Sequence, residues 1–139
     1  MSDDRGRLTE AQKAALIERA GEARQWAYAP YSNYRVGAAL LTASGKVYDG
    51  VNVENAAFPA TVCAERNAVF KAVSEGERQF EALALVTVNG GSPCGLCRQV
   101  LAEFGRGTIV IVADESGRIS MEATVADLLP SAFGPGDLR

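Results

Sequence analysis

"EALALVTVNGGSPCGLCRQVLAEFGRGTIVIVA", residues 81–113, holds two apolar runs separated by a glycine-rich turn and a segment of helical character. The runs "EALALVTVN" and "TIVIVA" are too uniformly apolar for a half-wet hairpin, so each is expected as a strand shielded on both faces. The segment from Cys94 to Phe104 is expected as the helix that crosses over between them. A strand, a covering helix and a second buried strand imply an α/β sheet rather than a bundle or a sandwich.

Downstream, "DESG" is a turn and "RISMEA" a further strand, antiparallel to its predecessor because the connection is so short. A short helix over Val125 to Leu129 and the tail "PSAFGPGDLR" follow. Upstream, a second helix is expected from about Val62 to Glu75, with Thr61 as its cap and Ala68, Val69, Ala72 and Val73 on its buried face. Before it, "YRVGAALLT" and "VYDGVNV" form a hairpin across "ASGK", and Gly37 marks a bulge or a close approach. Thr9 and Gln12 make a capping box for a first helix that carries Leu16, Ile17, Ala20, Ala23 and Ala27 and ends before Pro30. The expected whole is one domain, residues 1–139, with a mixed sheet covered by helices.

Of the 139 residues, 47% are hydrophobic and 22% charged, with a formal net charge of -3, which argues against general disorder and against adhesion to polynucleotide backbones. No apolar run is long enough for a membrane span and no secretory leader is visible, so a cytoplasmic protein acting on a small molecule is expected. Histidine is absent, which removes imidazole ligands and every histidine base.

The three cysteines, Cys63, Cys94 and Cys97, are odd in number and unlike a secreted disulfide framework. Cys94 and Cys97 share a face at a helix start, where free backbone N–H groups favour thiolate. Cys63 falls at the start of the other crossover helix, and two parallel crossovers begin at the same sheet edge. All three sulfurs can therefore meet at a metal; redox chemistry or simple packing are the other readings. Three thiolates leave a fourth zinc position for water in a catalytic site, or for a protein oxygen in a structural one. Glu65 is placed as an acid/base near such a water, or as a favourable charge at a helix N-terminus. Arg66 offsets the surplus charge of three thiolates on a divalent ion, or is solvated, and Arg98 either serves the thiolates or lies on the wet side of its helix.

"TVCAERNAVFKAVSEG", "SPCGLCRQVLAEF" and "NVENAAF" together closely resemble the small homotetrameric zinc-dependent cytidine deaminases, and the likeness runs from "YAPYSNYRVGAALL" to "LLPSAFGPGDL". The resemblance implies a three-layer α/β/α cytidine deaminase-like fold with a mixed five-stranded sheet, and hydrolysis of cytidine and deoxycytidine to the uridines and ammonia for pyrimidine salvage. It implies one zinc per subunit on Cys63, Cys94 and Cys97, with Glu65 moving protons between the attacking water, N3 and the leaving ammonia. It further implies that Asn52 and Glu54 hold ribose hydroxyls, that backbone near Ala64 and Ser92 holds the pyrimidine edge, and that Tyr34, commonly phenylalanine in the family, lines the base pocket. Phe133 resembles the aromatic that reaches a neighbouring subunit's site in a homotetramer. A modified cytosine nucleoside such as blasticidin S is the neighbouring substrate reading, and a non-enzymatic zinc-stabilised module the reading from another class.

Overall fold

The computed structural model describes residues 8–138. Helix α1, Glu10–Arg24, begins at the expected capping box: Thr9 Oγ1 accepts from Gln12 N at 3.0 Å and Gln12 Oε1 accepts from Thr9 N at 2.9 Å. Strands β1, Gly37–Thr42, and β2, Val47–Val51, form the hairpin; α2, Ala64–Ser74, leads to β3, Phe80–Thr87; α3, Gly95–Phe104, leads to β4, Ile109–Asp114. Strand β5, Ile119–Thr124, and the four-residue α4, Val125–Leu128, close the order.

The sheet order is β2-β1-β3-β4-β5, with β3 and β4 parallel and every other pair antiparallel. Alternation of side chains along the strands builds two cores. On one face Leu16 and Ala20 of α1 pack on Ala39, Ala82, Ala84, Val86 and Ala113. On the other, Ala68, Val69 and Ala72 of α2 and Leu101 of α3 pack on Ala38, Leu40, Leu83, Leu85, Val110 and Val112. The result is three layers, helix on sheet on helices, as β3 and β4 require for shielding on both faces.

Two glycines let the helices approach. A Cβ at Gly37 would lie 2.0 Å from Ala20 O, and one at Gly50 would lie 2.5 Å from both Ala64 O and Ala68 N. The second contact matters for the site, because it seats the first turn of α2 directly on β2. Asn67 Nδ2 donating to Val51 O at 2.7 Å and Lys71 Nζ donating to Asp49 O at 2.7 Å continue that seam.

The start of α2 differs from the sequence expectation. Val62 pairs with Val53 in an antiparallel bridge, which keeps residue 62 extended, so the helix begins two residues later and Cys63, not Thr61, is its N-cap. Thr61 instead ends a short 3₁₀ turn, Phe58–Ala60, and its Oγ1 accepts from Asn55 N at 3.1 Å.

Candidate active site

Strands β2 and β3 run in the same direction, so the helices that follow them, α2 and α3, both begin over the same edge of the sheet. Cys63 is the N-cap of α2 and Cys94 the N-cap of α3, and neither sulfur caps its own helix. Both are therefore free to face outward from the helix tips. Cys97, one turn into α3, is buried beneath them. The three Sγ atoms lie within 4.8 Å of one another, Cys63 to Cys94 at 3.8 Å and Cys94 to Cys97 at 3.3 Å. A tetrahedral zinc with bonds of about 2.3 Å separates its sulfur ligands by about 3.8 Å; Cys63 and Cys94 stand at that separation, and Cys94 and Cys97 are closer, at 3.3 Å.

One sulfur of the trio ionises readily. The Cys97 thiol and the Arg66 guanidinium hold Cys63 down to about 5, against the opposing pull of burial. Cys97 is pushed up, because its proton is shared with Cys63 and its site is desolvated. Arg66 Nη2 donates to Cys63 Sγ at 3.5 Å, while its buried Nε has no hydrogen-bond partner among the described residues. A guanidinium this committed to sulfur suits a centre whose ligands carry more negative charge than a divalent cation neutralises.

Glu65 is 5% exposed, and burial raises its carboxyl above the ordinary glutamate range. It lines a cleft of about 270 Å³ together with Cys63, Cys94, Tyr34, Asn52, Glu54 and Ser92. The cleft is thus close to the small end of ligand-sized pockets. The i,i+2 offset between Cys63 and Glu65 does not separate them functionally, since Cys63 lies outside the helix proper while Glu65 is in its first turn.

Asn52 and Glu54 are buried and already committed. Asn52 Oδ1 accepts from Val36 N at 2.9 Å and its Nδ2 donates to Tyr34 O at 2.8 Å. Glu54 Oε1 accepts from Tyr31 N at 2.9 Å and Ser32 N at 3.0 Å, and its Oε2 accepts from Ser32 Oγ. The Ser32 hydroxyl is the main reason the Glu54 carboxyl lies below its usual range. These two residues therefore shape the 31–36 loop and, with unused acceptor capacity, still face the cleft. The Tyr34 hydroxyl donates to Asn89 Oδ1 at 2.8 Å, tying that loop to the turn after β3.

Ala64, fully buried, lies between Cys63 and Glu65 in the chain, and neither it, Arg66 nor Cys97 lines the cleft. Phe133 does not line this cleft; it is 58% exposed on the tail, where Gln99 Nε2 donates to its carbonyl at 2.8 Å. Sequence reasoning passed over Ser32 and Thr87, which also line the cleft. A threonine ending the apolar run Ala82–Val86 was the available signal for Thr87, whose Oγ1 accepts from Gly90 N at 2.7 Å and Gly91 N at 3.0 Å.

Residues 10–113 match the family described as the cytidine and deoxycytidylate deaminase zinc-binding region. The chain belongs to that deaminase family. A cytidine deaminase from Sporosarcina psychrophila is 53% identical over 126 residues, covering 88% of this chain and 92% of its own. The crystal structure of a Burkholderia pseudomallei cytidine deaminase superposes with a TM-score of 0.83 at 46% identity, over 91% of this chain and 100% of that one. A Mycobacterium tuberculosis cytidine deaminase structure gives 0.74 at 41%, over 86% and 95%. Zinc is the metal of the deaminase family, and the three-sulfur cluster is a donor set that fits it.

Proposed function

We propose that the chain is a zinc-dependent deaminase of free cytosine nucleosides, converting cytidine and deoxycytidine to uridine and deoxyuridine with release of ammonia, in pyrimidine salvage. The observation that carries this reading is the meeting of three cysteine sulfurs, two of them on the wall of a small cleft that a buried carboxyl also lines. In it Cys63, Cys94 and Cys97 hold one zinc per chain, with Arg66 balancing their charge. Zinc in such a site supplies Lewis-acid activation of water for attack at C4.

The remaining work belongs to side chains. Glu65 takes a proton from the attacking water, delivers one to N3 of the ring, and carries another to the departing amino group. Its raised carboxyl suits both halves of that cycle, since a group that ionises nearer neutrality accepts and returns protons with less bias. Asn52 and Glu54 offer their remaining hydrogen-bonding capacity to the ribose hydroxyls, Tyr34 walls the base, and backbone near Ala64 and Ser92 meets the pyrimidine edge. In this reading the chain is a single deaminase domain; of its expected span 1–139, residues 1–7 and 139 lie outside the described residues.

The site is completed by neighbouring copies in a homotetramer, with Phe133 reaching an adjacent cleft. Support comes from large apolar side chains left uncovered on the single chain, Trp26 and Phe58 among them. Sedimentation at micromolar concentration is expected to give four times the 14.7 kDa chain mass, and a monomer or dimer would reject the arrangement. A cytoplasmic location fits three free thiols, and no helix among the described residues is long and apolar enough to cross a membrane.

The substrate class is tested by ammonia release from cytidine, deoxycytidine, blasticidin S and a single-stranded oligodeoxycytidine. The two plain nucleosides are expected to turn over, and the oligonucleotide to remain unchanged because the chain is acidic. Turnover of blasticidin S alone would replace the ribonucleoside reading, and turnover of none would reject the activity.

A further inference from the structure

We infer that Arg98 is a positioning residue for the zinc site: its guanidinium clamps the turn that carries Ser92 and Cys94 to the end of α4. This inference rests on the zinc reading above. Sequence alone offered Arg98 as a partner of the thiolates or as a solvated helix residue, and the structure supports neither. Its Nε donates to Pro93 O at 2.8 Å, Nη1 to Leu128 O at 2.8 Å, and Nη2 to Ser92 Oγ at 3.1 Å.

The three sulfurs are not held equally. Cys97 is buried within a helix, and Cys63 follows the Val53–Val62 bridge directly. Cys94 is exposed and ends an irregular turn that begins after Thr87, so its place depends on whatever fixes that turn. Upstream, the Thr87 hydroxyl collects the Gly90 and Gly91 N–H groups. Downstream, Arg98 takes the two acceptors immediately before Cys94.

Its third bond needs a fixed point, and α4 is one. Val125 N donates to Thr108 O at 3.0 Å, Ala126 N donates to Arg106 O at 3.0 Å, and a Thr124–Asp127 capping box closes the helix start. Arg98 therefore spans from the metal-bearing turn to a helix pinned to the residues just before β4. A planar guanidinium aims donors from three separate nitrogens in fixed directions at these acceptors, whereas the three donors of a lysine radiate from a single nitrogen on a flexible stem. Groups that orient metal ligands in this way typically change metal affinity by about 10–100-fold when removed.

The test uses zinc-loaded wild type, Arg98→Met, Arg98→Lys and Arg106→Met. The last removes a comparable strap, since Arg106 Nη2 donates to Ala132 O at 2.6 Å, without touching the Cys94 turn. Zinc release into excess 4-(2-pyridylazo)resorcinol is timed well below each variant's melting temperature, beside circular dichroism. The cobalt-loaded proteins are compared by their thiolate-to-cobalt charge-transfer bands.

Arg98→Met is expected to release zinc at least about tenfold faster and to alter the cobalt band. Arg98→Lys should fall between it and wild type, and Arg106→Met should match wild type in both readouts. Wild-type release from folded Arg98→Met, or equal acceleration in Arg106→Met, overturns the inference and leaves Arg98 a general strap. Should Arg98→Met fail to fold, Arg98→Lys decides alone: faster release supports the role and wild-type release rejects it. A wild type that cannot hold zinc refutes the metal site itself, and Arg98's role with it.

Discussion

Glu65→Gln is expected to lower cytidine turnover by roughly 10²–10⁴-fold, the usual reach of a positioned acid/base, while zinc content stays at the wild-type level. The amide has nearly the same shape as the carboxyl, so the first turn of α2 and the cleft wall keep their packing. What it cannot do is accept a proton from water and return it to the substrate. Glu65 is buried and its ionised form is disfavoured there by desolvation, so the neutral amide removes an unfavourable charge, and the melting temperature should hold or rise. Uridine formation, zinc content and thermal melting measured on the same preparation separate these effects. Normal turnover in the variant would remove Glu65 from the proton path; parallel loss of zinc and stability would make it a structural group.

Stripping the metal is expected to lower the melting temperature by roughly 10 °C or more. Zinc held at a concentration 1,000-fold above its dissociation constant stabilises the folded chain by about 4 kcal/mol, and a chain of this size shifts by a few degrees per kcal/mol. The sulfur triangle explains the direction. Without a cation, the sulfurs from the starts of α2 and α3, within 4.8 Å of one another, lose the bonds that tie the two helix starts together. Binding must also displace thiol protons, so zinc affinity should weaken as pH falls. Differential scanning fluorimetry before and after chelation checks the shift; an unchanged melting temperature would mean that the three sulfurs hold no stabilising ion.

The layered architecture was legible because two signals agreed along the chain: buried strand runs such as residues 82–87, and helices whose apolar residues recur on one face. Capping chemistry located the start of α1 to the residue, while its end falls at Arg24, short of Ala27, which was expected on the helix. It misled at α2, where Thr61 looked like the cap, because the bridge between Val53 and Val62 is a tertiary pairing that no local rule contains. The sulfurs could be grouped from helix starts and strand direction. Glu65 could not be oriented that way, since an i,i+2 offset argues for separation when both residues are taken as helical, and Cys63 is not. Arg98 was hardest to read: two of its three acceptors are the backbone carbonyls of Pro93 and Leu128, and a sequence does not display where its backbone acceptors end up.

The most direct test of the account is a zinc titration of the metal-free protein followed by cytidine turnover. Turnover should be absent at the start, rise in proportion to added zinc, and break sharply at one zinc per chain, as a single three-cysteine site requires. Full turnover in the metal-free protein, or one zinc bound per chain with no uridine formed, would contradict it.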